Sequence, residues 1–543
     1  MRPTQDEMTP NLAEGLCWEV ACRDDARVAR RRYRQQVVDG VYRLDAGALL
    51  DDCFHFLENV GVMALLADVD GPAIHREMVP CVPSVLLDGL KTRFGLERIH
   101  ALPALLCSDA ARMRLVGFKA QQARHGVGQR GTATRQGERA PGPICPDTLA
   151  QHIVKLHVRD REAVFKRVMW ALAQAGVLGA QVTGIADGTD LATMARAVGG
   201  GQVTRKVRLE ETRGRGHASE GTLDGWKVLL VIDATTQSPL AVKVGPIDAH
   251  EPHGTRAWVT QARSHLAGDA RLHTVVFDQG FGDGPDRWWL DPHGITFVGP
   301  TKANMAVTAD ARAQAAAPAD IPMGRRVQTV RHGQGSGART AQLETAVGGI
   351  TGLTTDEPYG TPAPGRDHNR RDVQSQAIHA VVVRKWHGRD AGPGGKTVLL
   401  TNASVQPPLQ PFDDDDDRRL IDNGCSNEAT QPWAVGHPPQ NTARAVRVPG
   451  VLTVLMCALA TASRLQCAPE ATAGEPVGWP RWRRQLLEQS RDDVIVFAQG
   501  DYGLWHLAEY SRLLGAKLKD VPPGIGTLQD IMVKYELTGH SEP

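Results

Sequence analysis

Two aspartates end apolar runs that read as β-strands: Asp187 in VTGIADGTD and Asp278 in TVVFDQGF. A carboxylate at the C-terminal end of a parallel strand faces the crevice where open α/β sheets put their sites. In a mixed sheet the first and fourth strands can be neighbours, which would bring these two acids together across 90 residues of sequence. Adjacent carboxylates repel unless a cation holds them. Mg²⁺ suits such a pair, because it takes one or two carboxylates plus waters and substrate phosphate oxygens. Either aspartate alone is weak evidence, since Asp is common at strand ends and turns. Asp233, in the DATTQSP loop, is read as such a turn residue.

The elements that must position the pair follow from hydrophobic periodicity. Helices are expected over Asp147–Val158 and Asp160–Leu178. Strands are expected at Gln181–Ala186, Trp226–Ile232, Leu240–Val244, Thr274–Phe277 and Thr296–Val298. The second and third are joined by a hairpin loop, Asp233–Pro239. A helix over Thr255–Leu266 precedes the fourth, and a partly helical stretch, Gly280–Asp291, precedes the fifth. Three antiparallel strands followed by crossovers make a mixed α/β sheet.

The rest of the chain divides by composition. Residues 1–123 read as a helical N-terminal region, with helical spacing through Ala46–Leu66 and a basic cluster at Arg27–Arg34 (RVARRRYR), taken as a solvated face. Residues 124–146 form a basic Gly- and Pro-rich linker. Residues 303–405 read as an inserted β-rich subdomain, with strand candidates at Ala380–Val383 and Val398–Leu400. They divide a core running over 147–302 and 406–466, which ends in an apolar helix, Val448–Leu465. Residues 467–543 read as a helical tail. The run Asp413–Asp417 is read as a solvated acidic loop.

Composition limits the partners. The chain has 543 residues with 62 Lys and Arg against 61 Asp and Glu, so attraction to nucleic acid must come from local patches. Arg outnumbers Lys by 49 to 13, which suits phosphate but also follows from a GC-rich genome. No apolar run approaches the ~20 residues of a membrane span, so no membrane is expected. The first residues, MRPTQDEMTP, lack a signal pattern. The nine cysteines form no C-x-x-C pair, as in a reducing cytoplasm.

Taken together, five blocks resemble bacterial insertion-sequence transposases with an Asp-Asp-Glu (DDE) triad. They are IADGTDLATM (185–194), DGWKVLLVIDATTQSPLAVKV (224–244), VVFDQGFGDGPDRWWLDPHGITFVGPTKANM (275–305), LTNASVQPPLQPFD (400–413) and RRLIDNGCSNEATQPW (418–433). The resemblance runs from about Asp147 to Leu465. It implies an RNase H-like fold, a five-stranded mixed sheet flanked by helices, with Asp187 and Asp278 as the first two metal ligands. The family's third acid lies in Y-x-x-R-x-x-x-E with a later basic residue. Here the register gives Asp415, Arg418 and Asp422, with Thr430 at the basic position. Asp422 is therefore the implied third ligand, and Glu428 the alternative. Glu428 lies six residues on, off the helix face of Asp422. An Asp in place of Glu is one methylene shorter, and ~1 Å of misplacement can cost on the order of 10²-fold in rate.

The resemblance further implies two Mg²⁺ (or Mn²⁺) ions and phosphodiester cleavage with strand transfer at element ends. It implies double-stranded DNA as partner, both terminal inverted repeats and target, and a homo-oligomeric synaptic complex in the bacterial cytoplasm at the nucleoid. Candidate DNA contacts are Arg418, one turn before Asp422; Lys302, after the fifth strand; and Arg481, Arg483 and Arg484, beside Trp479 and Trp482. Trp288 and Trp289 are expected in the core. Two alternatives remain: a degenerate copy that binds DNA without cutting, and a metal-dependent nuclease of the same fold.

Overall fold

The structure is a computed structural model. It describes the chain except residues 1–21, 36–37, 45–48, 69–79, 95, 97–98, 103–106, 108–109, 120, 123–125, 128–142, 194–198, 208–218, 250–254, 279–283, 317–320, 333–338, 357–358, 363–372, 388–395, 418–441, 468–477, 490–492, 516–525 and 538–543.

Five strands form the centre: β1 (Gln181–Thr193), β2 (Ser219–Asp233), β3 (Pro239–Pro246), β4 (Arg271–Phe277) and β5 (Thr296–Pro300). β1 and β2 are antiparallel, as are β2 and β3; β4 lies parallel to β1 on its other side, and β5 parallel to β4. The spatial order 3-2-1-4-5 with these directions is the RNase H-like arrangement. Each expected strand lies within one of these five. β4 and β5 are short apolar runs covered on both faces, with Val275, Val276, Phe277, Phe297 and Val298 all buried, as parallel strands require. The strand Gly201–Val207 pairs with the first half of β2.

The insertion extends the central sheet. Its strands β6 (Met323–His332), β7 (Arg339–Leu353), β8 (Ile378–His387) and β9 (Lys396–Thr401) are not a separate sheet. β9 pairs antiparallel with β5, and the sheet continues through β8 and β7 to β6. The reason is that β5 would otherwise be an open edge, and an unpaired buried backbone edge is costly.

Both termini, read from sequence as mainly helical, also contribute strands. Gly40–Leu44 and the dipeptide Cys22–Arg23 pair with two strands from the tail, Asp493–Ala498 and Asp501–His506. This four-stranded sheet has its own core, including Val28, Val496, Trp505 and Tyr535. The second tail strand alternates, with Asp501, Gly503 and Trp505 buried and their neighbours less so, the period of a half-covered strand. The basic cluster on the helix Asp25–Gln35 is not simply solvated: Arg31 bonds Asp501 at 2.7 Å and the Ala498 carbonyl at 2.6 Å, and Arg30 pairs with Glu536 at 2.9 Å.

The helix Ala443–Cys467 runs through the main core. It is long and apolar enough to cross a membrane by length and composition, with a window of mean hydropathy 1.8, contrary to the expectation from apolar run length. Here 89% of that window is buried inside the fold, against the helix Val158–Gln174, β3 and the helix Cys81–Arg93.

Candidate active site

The site is built from the divergence of two parallel strands. The last paired residues of β1 and β4 are Ala186 and Phe277. One residue further on stand Asp187, still in β1 and paired with Leu230 of β2, and Asp278, just past the end of β4. β4 stops at Phe277, whereas β1 continues to Thr193 with β2 as its partner. The pair therefore sits where the sheet opens, at the C-terminal edge of the parallel strands. Both aspartates are half-buried. Asp187 Oδ1 accepts the Gly188 N–H at 2.7 Å.

Asp233 contrasts with them. It is buried, and Oδ2 accepts both the Thr236 N–H at 2.9 Å and the Thr236 hydroxyl at 2.6 Å. That is an Asx-type turn, the structural role expected of this residue.

The acidic run is not a solvated loop. Leu409–Phe412 and Asp413–Asp416 form one helix, packed on β4, β5, β8 and β9. Asp413 pairs with Arg326 of β6, and Asp416 with Lys385 of β8 at 3.5 Å. Both cations also lie over the Phe412 ring, at 5.5 and 4.8 Å. The i, i+3 spacing of Asp413 and Asp416 puts both on the face toward these strands. Burial, then neighbouring carboxylates, hold Asp417 above the usual carboxylate range. Sequence reading missed this role because Arg326 and Lys385 lie 87 and 31 residues away. Asp415 is on this helix. Arg418, Asp422 and Glu428 fall outside the described residues.

Lys302 is exposed just past β5, at the same sheet edge as Asp278. The helix Trp479–Gln489 presents Arg481 and Arg484 to solvent. Trp479 and Trp482, however, are buried, with Arg464 and Arg483 over the first ring at 4.9 and 5.8 Å and Arg93 over the second at 5.9 Å. Neither ring is open to stack on a base. Trp288 packs edge-on against Tyr359 at 5.3 Å, and both Trp288 and Trp289 border the main core.

The donor chemistry fits a hard divalent cation, since carboxylate oxygens are its preferred ligands. Among the described residues no group of three or more candidate ligands gathers. A further acid would have to come from outside them.

Among solved structures the chain is similar to a piggyBac transposase in a synaptic complex with hairpin DNA. Identity is 11%, over 93% of this chain and 89% of that one, with a TM-score of 0.36. No curated protein matches. Residues 179–398, from the start of β1 into β9, match the family model described as a transposase DDE domain. Over that span the chain is similar to the transposase DDE domain family, and Asp187 and Asp278 lie inside it.

Proposed function

We propose that this chain is a DNA transposase that cleaves and joins phosphodiester bonds at the ends of an insertion sequence, using divalent metal ions. The observation that supports the reading is the register of Ala186 with Phe277, each of which is followed directly by an aspartate, Asp187 and Asp278, where β4 ends. Asp187 and Asp278 would hold the metal, completed by Asp422 or, failing that, Glu428. When bound, two Mg²⁺ or Mn²⁺ ions would activate the attacking water or DNA 3′-hydroxyl and neutralise the leaving oxygen.

The chain's own residues supply position and charge. Lys302, exposed at the same edge, is suited to hold a strand phosphate. Arg418 would do the same beside the third acid. Arg481 and Arg484 would add phosphate contacts, with Arg483 braced on Trp479. No protein nucleophile is required, so no covalent protein–DNA intermediate is expected. The helical N-terminal region would recognise terminal inverted repeats. A homo-oligomer would bring two ends together, working on DNA in the bacterial cytoplasm.

The test is cleavage of DNA carrying the sequences that flank the gene, with Mg²⁺ or Mn²⁺. Nicked and joined products that vanish in Asp187→Ala support the reading. Cleavage without joined products would replace it with a nuclease. Binding without cleavage would replace it with a degenerate copy, for which the Asp at the third position and Thr430 are the favouring features.

A further inference from the structure

A cavity of about 550 Å³ opens at the end of the parallel strands opposite Asp278. Its walls come from the helix Val158–Gln174, the helix Thr255–Ser264 with the loop after it, the start of β4 and the turn before β5. β4 runs from Arg271, in the cavity wall, to Phe277, beside Asp278. A strand of that length puts the cavity roughly 20 Å from the candidate active site, at ~3.3 Å per residue. Its volume lies within the range of about 300–1,000 Å³ typical of small-molecule sites.

The lining combines three chemistries. Leu266 and Leu272 are buried and supply apolar surface. Trp170 is 50% exposed, whereas the other tryptophans among the described residues are buried or half-buried. An indole gains most when its faces are covered, so one left open against a cavity is a surface for stacking. Arg263 and Arg271 are both exposed there. Arg271 Nη1 donates to the Gly268 and Ala270 carbonyls at 2.7 and 2.8 Å. Neutral carbonyls orient a guanidinium without neutralising it, and its other N–H groups still suit a phosphate. His293 Nδ1–H donates to the Trp289 carbonyl at 2.7 Å, which leaves Nε2 to accept a hydrogen bond. Lys166, exposed one turn before Trp170, adds positive charge on the same helix face. Asp269, exposed in the loop before β4, does not line the cavity.

We propose that this cavity binds a nucleotide, with its base stacked on Trp170 and its phosphate held by Arg263 and Arg271. A planar base suits an indole face beside aliphatic surface, and guanidinium forks match phosphate oxygens. Two sources offer that chemistry: a free nucleotide, and an unpaired nucleotide of a DNA strand. The proposal uses no residue of the Asp187–Asp278 edge, so it stands apart from the transposase reading.

The experiment titrates the full chain by calorimetry with adenosine monophosphate, with oligothymidylate and with ribose 5-phosphate, all in EDTA to keep metal from the aspartates. Trp170→Ala should weaken nucleotide binding on the order of tenfold, and Trp170→Phe much less. Arg263→Gln should weaken it several-fold and flatten its salt dependence. Ribose 5-phosphate, which lacks the base, should bind weakly and alike to wild type and Trp170→Ala. Both substituted side chains are exposed, so melting transitions should match wild type. Binding of the monophosphate would assign a free nucleotide, and binding of oligothymidylate alone an unpaired strand; either supports the proposal when the Trp170→Ala loss accompanies it. Binding of neither, or an affinity that Trp170→Ala leaves at the wild-type value, would overturn it.

Discussion

The Asp233 turn and the Asp187–Asp278 edge belong to one sheet, yet their carboxylates serve opposite ends. Asp233 is sealed by its own loop, with both Thr236 donors spent on one oxygen. Asp356 is sealed by a different device, a 2.9 Å ion pair with Arg287 whose side chains are 1% and 7% exposed. Asp187 and Asp278 lie half-buried where β4 ends and β1 goes on. Being an acid at a strand end does not mark a functional residue. Asp187 and Asp278 differ in following directly on paired residues of two parallel strands, Ala186 and Phe277, where β4 ends.

That contrast breaks most visibly at the edge. Asp187→Ala or Asp278→Ala should lower metal-dependent DNA cleavage on the order of 10³-fold or more, while unfolding free energy moves by less than about 1 kcal/mol. Equal losses of cleavage and of melting temperature would erase the distinction between open and sealed acids.

The reverse pattern belongs to Asp356→Ala, which strands Arg287 in the core. Breaking a buried pair costs about 3–5 kcal/mol, so denaturant unfolding should show a large loss while cleavage per folded molecule persists. Asp233→Ala sits between: two donors of Thr236 lose their acceptor, for about 1–3 kcal/mol, read by the same unfolding titration.

The smallest effect is one of pH. Burial, partly offset by the Thr236 hydrogen bonds, raises the Asp233 carboxyl above its ordinary 3.8. The folded protein then binds this proton more tightly than the unfolded chain, so the group's contribution to stability declines as pH climbs from about 4 through the folded value. Asp233→Asn keeps an acceptor oxygen and cannot ionise. Its stability, compared with wild type across that range, should decline less; an unchanged slope would show that Asp233 is not the group responsible.

What the sequence makes legible follows from locality. β1 to β5 are read from short apolar runs, because each carries its own periodicity and lies in chain order. The register of Asp187 and Asp278 is foreshadowed for the same reason, since both end such runs. The joining of β9 to β5 is not legible, because an apolar strand such as β8, with Ala380, Val381, Val382 and Val383 all buried, says nothing about which edge its hairpin will cover. The terminal sheet is harder still: Val41 pairs with Val496, and no local pattern links residues so far apart. The acidic helix was hidden for a related reason, its cations arriving from β6 and β8.

The central claim is that Asp187 and Asp278 share one divalent cation. Calorimetric titration of Mn²⁺ into wild type, each Ala variant and the double variant tests it without DNA. If they share an ion, either substitution removes most of the affinity and the double variant loses little more. Wild-type affinity in both single variants, or losses that simply add, would contradict it.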